Sequence, residues 1–495
     1  MKTLVPALHL AFLLAARAQV LTSQNDNART GANLRETILT PANVNPAQFG
    51  RLFSLPVDGD VYAQPLYVPD VDIPGKGRHN VLFVATEHDS VYAFDADGGS
   101  TTPLWHVNFL NPKAGVTTVR AQDVLCPFIQ PEIGITPTPV IDRATGTLYV
   151  LARTKEDPGI LKATRYVQRL HALAITTGAE KFGGPVAIAA PGFDPLRQLP
   201  RAALLLTKDQ VYLTWASSCD VAPYHGWVMA YDARTLAQTA VFNTSPGASE
   251  SGIWQADTGP AADEEGDVYV ATGNGLFHSG RDYGDTVLKL ALEGHRLVVR
   301  DSFTPDNQRE LNAHDLDIGS GGPMLTPEGL LLAGGKDSRL YLFDHKRMGR
   351  PQQVFEFNGG MYSAPAYWNG HVYRMASDDY LMDFAIQAGR LSAQPVATSR
   401  LRFGPDSTPA ISANGARNGI VWLIETKAWN APDRPAVLHA YDAANLSREL
   451  YDSEQNAPRD RAGKTLRFTI PTVANGRVYV GARREIDVYG LLSRP

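Results

Sequence analysis

A strand pattern repeats eight times along most of this chain. Each copy begins with a short apolar strand after Pro or Gly, and continues through a turn into three further strands. One copy reads VLFVATEHDSVYAFDADGG over its middle strands, and the next begins TPTPVIDRATGTLYVLART. The strands alternate in polarity with period two, and Gly, Asn and Asp separate them, which is typical of antiparallel sheets. A repeat of this length must be explained by any fold assigned to the chain.

Repeated units of four strands predict an all-β fold, a β-propeller, because radial repetition leaves no long free sheet edge. We expect eight four-stranded antiparallel blades over residues 49–492. The eighth unit ends after its third strand, whereas a spare strand, FGRLFSLPV at 49–57, precedes the first unit. We therefore expect an eight-bladed propeller that this N-terminal strand closes. The alternative is seven blades, if one weak unit merges with its neighbour.

Residues 1–18 have the pattern of a secretory signal peptide. Lys2 supplies a positive charge, residues 4–16 are largely apolar, and Ala16-Arg17-Ala18 suits cleavage. The apolar run is too short to span a membrane, and an uncleaved anchor is the alternative. Residues 19–48 are polar and turn-rich and predict an extended lead-in. We therefore expect a secreted or periplasmic protein without a membrane span.

Charge and cysteine content exclude several functions. The net charge is −5 and no basic block exists, so nucleic acid is not an expected partner. Only Cys126 and Cys219 are present, and in an exported protein they form either one disulfide or two buried thiols. The sequence contains no C-x-x-C-H haem motif, no G-x-x-x-x-G-K-[ST] phosphate-binding loop and no G-x-S-x-G elbow.

Polar residues with cofactor-binding chemistry cluster in the stretch 251–336. Strand-like runs alternate there with Gly-rich turns, and those turns carry Trp254, Asn274, Asp315, Asp317 and Lys336. An aromatic plate, an amide, a D-x-D pair and a lysine suit a flat anionic cofactor with a metal ion. The same residue types are also ordinary turn formers.

Propeller topology predicts that these residues meet, because equivalent loops of successive blades emerge on one face. Asp220, Asn274 and Lys336 follow the second strands of the third, fourth and fifth units. Asp315 and Asp317 lie just before the inner strand of the fifth unit. We expect the three aspartates and Asn274 to converge at one end of the central channel, above Trp254, with Lys336 at the rim.

The repeats resemble those of pyrroloquinoline-quinone (PQQ) propellers. AFDADGGSTTPLW in the first unit is similar to the tryptophan-docking pattern A-x-D-x-x-x-G-x-x-x-W, with a slightly longer gap before Trp105. From about residue 120 to 350 the chain is similar to the quinoprotein alcohol dehydrogenases. Thr272-Gly273-Asn274 matches the T-G-N of that family, and His314-Asp315-Leu316-Asp317 matches its W-D-Y-D segment.

This resemblance implies a role for each residue of the cluster. Trp254 would form the floor under PQQ, and Lys336 would touch the quinone. Asn274 and Asp317 would bind calcium or a lanthanide, and Asp315 would be the catalytic base. The remaining metal ligand is Asp220 in SSCD, which matches the acidic ligand of the family's S-G-A-E with a one-residue gap.

Two departures from the family fall in one loop. The dehydrogenases carry adjacent cysteines over the cofactor, whereas DVLCPF here has only Cys126. An arginine follows that pair in the family, whereas Gln130, Pro131 and Glu132 occupy this part of the chain, and an acid there would repel quinone carboxylates. Because the family places the loops of Cys126 and Cys219 near the cofactor, we expect these two cysteines to be joined.

The sequence thus predicts an exported PQQ- and metal-dependent alcohol or sugar dehydrogenase with Asp315 as base. Since no haem motif is present, electrons would leave to a separate acceptor. The missing cysteine pair and arginine favour the alternative, a non-catalytic propeller scaffold for protein or carbohydrate interaction.

Overall fold

Eight four-stranded antiparallel blades form a closed ring in the structure, a computed structural model. It describes residues 18–157, 159, 163–405, 407–426, 431 and 434–493. The predicted eight-bladed propeller is therefore confirmed, and seven blades are excluded. The predicted signal peptide lies, apart from Ala18, outside the described residues.

Blades one to four follow the predicted units. From the channel outward, the first two blades contain the strands Leu66–Ile73, Gly77–Ala85, Ser90–Asp95 and Trp105–Asn108, then Val140–Asp142, Thr147–Glu156, Arg165–Ala174 and Val186–Ala187. The next two contain Leu205–Thr207, Gln210–Ser217, Trp227–Asp232 and Gln238–Asn243, then Ala261–Ala262, Val268–Ala271, Val287–Glu293 and Arg296–Phe303.

Blades five to eight complete the ring. The fifth and sixth contain the strands Met324–Leu325, Leu330–Gly334, Arg339–Asp344 and Gln353–Glu356, then Ala366–Trp368, His371–Arg374, Asp379–Gln387 and Ala397–Phe403. The seventh and eighth contain Ala410–Asn414, Arg417–Glu425, Val437–Asp442 and Asn445–Asp452, then Thr472–Ala474, Arg477–Ala482, Glu485–Leu491 and Phe49–Pro56.

The N-terminal strand closes the ring as predicted. Phe49–Pro56 pairs antiparallel with Glu485–Leu491 and so becomes the outer strand of the eighth blade. Phe49 is fully buried and packs against Trp422 of the seventh blade and Tyr489 of the eighth. Closure therefore joins the two ends of the chain by both main-chain hydrogen bonds and aromatic packing.

Short strands and helices are inserted between the strands of the blades, and no sequence pattern predicts them. The strands are Val116–Arg120, Glu132–Ile133, Gln198–Leu199, Phe277–His278, Asp282–Tyr283 and Arg390–Leu391, and the helices are Ala121–Val124, Gln308–Ala313 and Ala457–Asp460, with a 3-10 turn at Pro112–Ala114. No described helix has the length and apolar character needed to cross a membrane.

The repeated A-x-D segments mark contacts between neighbouring blades. Tyr149 in the second blade donates its hydroxyl to the carbonyl of Ala233, just after the Ala-Tyr-Asp of the third blade. Tyr373 makes the same bond to Ala443, at 2.9 Å. Trp105 donates its indole N–H to Ile175 of the next blade, at 2.9 Å. Only glycine fits at Gly178 there, because a Cβ would lie 2.8 Å from the Trp105 ring and the backbone φ is +72°.

The lead-in segment, residues 20–36, contacts all eight inner strands in chain order. Its main chain or side chains bond successively to Tyr67, Ile141, Leu206, Ala262, Leu325, Tyr367, Ile411 and Val473. Asn33 also lies in a two-residue strand, Ala32–Asn33, parallel to the inner strand of the seventh blade. Arg29 is fully buried at the centre of this segment and donates to the carbonyls of Ser23 and Pro260. The segment therefore lies across one end of the central channel.

Candidate functional site

A cavity of about 300 Å³ lies at the other end of the channel. The residues that line it precede inner strands or follow second strands of the blades. The lead-in segment bonds instead to residues further along the inner strands, so the cavity and the segment lie at opposite ends of the channel. This volume is at the lower end of the range for small-molecule sites. The polar and aromatic lining includes Arg201, Asp220, Trp254, Asp315, Asp317, Lys336, Tyr362, Arg467 and Phe468.

The structure thus brings together most of the residues that the topology predicts to meet. Asp220, Asp315, Asp317, Lys336 and Trp254 all line this cavity. Asn274 is not part of the lining, but its amide donates to Asp315 Oδ1 at 2.6 Å. Equivalent loops of successive blades do therefore deliver their side chains to one place.

Close backbone packing positions the indole of Trp254. A Cβ at Gly273, the glycine of the T-G-N segment, would lie 2.9 Å from the Trp254 ring. Gly273 also donates its N–H to the carbonyl of Gly252, at 2.8 Å, which ties the two loops together. A larger residue at 273 would displace the indole from the cavity wall.

A lysine bridges the two aspartates of the D-x-D pair. Lys336 Nζ lies 2.7 Å from Asp315 Oδ1 and 2.7 Å from Asp317 Oδ2. Burial alone would lower the pKa of Lys336, but the charge of Asp317 and hydrogen bonds to both carboxylates raise it above its ordinary value. The ammonium group is therefore held charged at the centre of this cluster. The expected position at the rim of the channel was wrong, because both carboxylates draw the lysine between them.

The loop that carries the pair is fixed by the helix before it and by the neighbouring loop. Helix Gln308–Ala313 ends two residues before Asp315, and Asn312 on it accepts from Gly275 N at 2.7 Å. The carbonyl of Asp317 accepts from Lys336 N at 2.8 Å. Asp315 has a φ of +54° and is 65% exposed, whereas Asp317 is 1% exposed. One aspartate therefore faces the solvent and the other is buried.

Two buried oxygen atoms of the cluster lack hydrogen-bond partners. They are Asn274 Oδ1 and Asp317 Oδ1. Burial raises the pKa of Asp317, and the charge of Lys336 opposes this shift. Oxygen donors without partners in an acidic cluster are what a hard cation such as calcium or a lanthanide requires. These residues fit such a cation, although no described set of three His, Cys, Asp or Glu side chains is arranged as a metal cluster.

Asp220 lies at the mouth of the cavity and accepts the hydroxyl of Tyr224 at 2.5 Å. Neighbouring protein displaces part of its hydration and so raises its pKa, which the nearby charge of Lys336 lowers and that of Asp315 raises. These electrostatic contacts show that Asp220 belongs to the same charged group as the D-x-D pair.

Cys126 and Cys219 form a disulfide whose Cα atoms are 5.5 Å apart, and both line the cavity. The bridge connects the insertion of the second blade to the loop that carries Asp220. The disulfide therefore joins loops of two different blades. Glu132, which would repel an anionic ligand, is absent from the lining and lies 3.0 Å from His88 Nδ1 instead.

Arg201 and Arg467 also line the cavity, although neither was predicted from the sequence. Each precedes an inner strand, in the third and eighth blades, as Asp317 does in the fifth. Propeller topology predicts both positions in the same way as it predicts that of Asp317. Arginine beside proline or leucine in a loop carries no signal of its own.

Comparisons with known proteins agree on the architecture. No protein-family profile and no curated protein matches the chain. Among solved structures it is similar to a europium-containing methanol dehydrogenase, with a TM-score of 0.66 and 13% identity over 96% of this chain and 98% of that one. It is also similar to the quinohemoprotein alcohol dehydrogenase of Comamonas testosteroni, with a TM-score of 0.64 and 15% identity over 98% and 82% of the two chains.

Another similar structure, BamB from Moraxella catarrhalis, has a TM-score of 0.51 and 15% identity over 90% of this chain and 99% of that one. At these identities the likeness shows the fold alone. The chain therefore shares the propeller fold of these solved structures, as its repeats predicted.

Proposed function

We propose that this protein is a PQQ-binding, cation-dependent dehydrogenase of alcohols or sugars. The observation that carries the proposal is the convergence of Trp254, Asp220, Asp315, Asp317 and Lys336 on one cavity of about 300 Å³. These residues come from three successive blades, so their meeting does not follow from any local sequence preference. Fold likeness alone does not decide function, but this site has the groups that the chemistry needs.

The cavity residues suit a flat, anionic ring system. The indole of Trp254 offers an aromatic face, and Lys336 and the two arginines supply positive charge. When bound, the quinone would supply the electrophilic carbonyl that accepts the electrons of the alcohol. The disulfide ties together two loops of the wall and so limits how far the cavity can open.

Asp220, Asn274 and Asp317 would hold calcium or a lanthanide. All three offer oxygen atoms, and two of these atoms are buried and without partners. Lys336 already neutralises Asp317 through their contact at 2.7 Å. A bound cation would therefore have to share the carboxylate with the ammonium group or displace it.

Asp315 is suited to take the proton of a substrate hydroxyl. Its side chain is exposed at the cavity, where a substrate can reach it. Lys336 and Asn274 both donate to its Oδ1, at 2.7 and 2.6 Å, which fixes its orientation and leaves Oδ2 to face the substrate. We further propose that the protein is exported to the periplasm or medium and passes electrons to a separate acceptor.

A second candidate function is a non-catalytic scaffold. Leu125 and Phe128, beside the disulfide, are 69% and 48% exposed, which is unusual for large apolar side chains. Together with the loss of the adjacent cysteines, this surface favours a role in binding a protein or carbohydrate at the same face.

Reconstitution separates the two candidates. The purified protein is incubated with PQQ and either Ca²⁺ or La³⁺, desalted, and assayed for retained quinone absorbance and for dye reduction with alcohols and aldoses. We expect retention and turnover in the wild type, retention without turnover in Asp315→Asn, and no effect of the exposed control Asp306→Asn. Failure of the wild type to retain the quinone under any cation would exclude the dehydrogenase and leave the scaffold.

A further inference from the structure

Two guanidinium groups and an aromatic ring form one wall of the cavity. Arg201 Cζ lies 5.2 Å from the ring centre of Phe468, and Arg467 Cζ lies 4.6 Å from it. Arg201 also lies 5.7 Å from the ring centre of Tyr62, and Arg467 lies 5.3 Å from that of Phe128. Aromatic faces attract cations, so these rings hold the two arginines in place despite their mutual repulsion.

One hydrogen-bond donor of the Arg201 guanidinium group lacks an acceptor. Its side chain is 7% exposed, and its Nη2 atom is buried without a partner. Burial lowers the pKa of Arg201, and the charge of Arg467 acts in the same direction, while Tyr62, Asp257 and Glu87 oppose the shift. Arginine stays charged even so. A buried charge with an unpaired donor destabilises the protein unless a ligand supplies the missing acceptor.

The lysine and the aspartates of the lining already interact with one another. Lys336 bridges Asp315 and Asp317, and the charge of Asp220 interacts with the charges of the same three residues. Arg201 therefore brings a buried donor without a partner to the described lining of the cavity. An anionic ligand would be repelled by the aspartates and attracted to the wall formed by Arg201, Arg467 and Phe468.

We propose that Arg201 and Arg467 form the carboxylate-binding subsite of the cavity, for a planar aromatic polycarboxylate. This proposal rests on the proposed function, because PQQ belongs to that chemical class. Positive charge is missing from the loop 126–132, and the third and eighth blades supply it instead. The subsite sets the direction of the ligand, with carboxylates towards the arginines and the remaining edge towards Asp315.

A redox-inactive probe tests the subsite apart from catalysis. Benzene-1,3,5-tricarboxylate is titrated into the wild type by isothermal calorimetry, and PQQ is titrated by quenching of tryptophan fluorescence. Arg201→Gln and Arg467→Gln are each expected to weaken both ligands by roughly tenfold or more, since each removes charge-assisted hydrogen bonds. The exposed control Arg347→Gln should change neither, and the trimethyl ester of the probe should not bind.

The outcomes distinguish this inference from the proposed function. If the wild type binds the tricarboxylate through both arginines but not PQQ, the subsite stands and the dehydrogenase fails. If PQQ binds with equal affinity to the wild type and both variants, the subsite is overturned and the dehydrogenase stands. Failure of the wild type to bind either ligand also overturns the subsite. Arg201→Gln removes an incompletely paired charge, so its melting temperature without ligand should not fall. If this variant misfolds, the titrations of Arg467→Gln, at the less buried arginine, test the subsite.

Discussion

Lys336 Nζ lies 2.7 Å from Asp317 Oδ2, and the Asp317 side chain is almost completely buried. The lysine therefore provides the charge that allows a carboxylate to exist inside the protein. Any metal bound by Asp317 must act on this pair, which makes the pair the most direct probe of the cation site.

Lys336→Met should destabilise the protein by about 3 kcal/mol in the absence of divalent or trivalent cations, because it leaves a buried carboxylate unpaired. Ca²⁺ or La³⁺ should recover much of this loss, because either ion can replace the ammonium charge and binds only the folded state. Chemical denaturation with and without cation measures both effects.

The exposed Lys346→Met serves as the control for that substitution and should be neutral. The double variant Lys336→Met/Asp317→Asn removes the unpaired charge, so it should be more stable than the single variant and insensitive to cations. A single variant that neither loses stability nor responds to cations would contradict the cation site.

Loss of the closing strand should lower the melting temperature sharply. Deletion of residues 19–57 leaves an unpaired edge on the eighth blade and an open channel. Phe49→Ala tests the packing alone and should cost about 3–5 kcal/mol, because Phe49 is fully buried against Trp422 and Tyr489. Phe277→Ala, at a partly exposed site, is the control. Unchanged melting of the deletion would refute ring closure by this strand.

Removal of the disulfide should lower the stability of the folded protein. The bridge spans 93 residues, and a loop of that length predicts a loss of about 4–5 kcal/mol in the chain-entropy model. Cys126→Ser/Cys219→Ser is compared with the wild type by urea denaturation. Thiol labelling of the denatured, unreduced wild type should find no free cysteine, and two labelled thiols would contradict the bridge.

Glu87 should make stability fall as the pH rises. It is 1% exposed and accepts from Gly134 N and Thr136 Oγ1, and burial raises its pKa from 4.5 to about 7. The folded state therefore binds a proton that the unfolded state releases between these values. The stabilisation is complete below pH 4.5 and is lost as the pH rises through 7, by at most about 3 kcal/mol.

Glu87→Gln should remove this pH dependence, because the amide keeps an acceptor for the same two donors and never ionises. Urea denaturation at several pH values should show the variant gaining on the wild type from pH 4.5 to 8. Glu293→Gln, at an exposed ion pair, is the matched control. Parallel pH profiles of the wild type and Glu87→Gln would show that Glu87 does not carry the effect.

The sequence predicted the fold because its signal is repeated. Eight copies of a period-two pattern identify the blades, and the one incomplete copy identifies the closing strand. Insertions of two-residue strands, such as Glu132–Ile133, escape this reasoning because they are too short to show a period. That the loops of Asp220 and Lys336 meet at one cavity followed from blade topology, which fixes where loops emerge.

The rest of the site depends on contacts that no pattern encodes. That Asn274 reaches the cluster through Asp315, and that Lys336 bridges two carboxylates, are properties of side-chain geometry. Arg201 was missed because a single arginine in a turn is usually solvated, and only its burial shows otherwise. The path of residues 20–36 was missed because much of it is held by main-chain hydrogen bonds, which any polar sequence can make.

That path has a consequence for how the protein folds. Residues 20–36 leave the ribosome before any blade exists, yet their partner Val473 is made near the end of the chain. In ordinary repeat proteins each repeat depends on its neighbours only, whereas here the lead-in segment contacts every blade. This segment can make all its contacts only once the whole ring has formed, and opening one blade then breaks hydrogen bonds of a segment that all eight blades share. The amide hydrogens of Tyr67, Leu325 and Ile411 bond to the lead-in segment. They should accordingly exchange with the same free energy of opening, although they lie in three different blades.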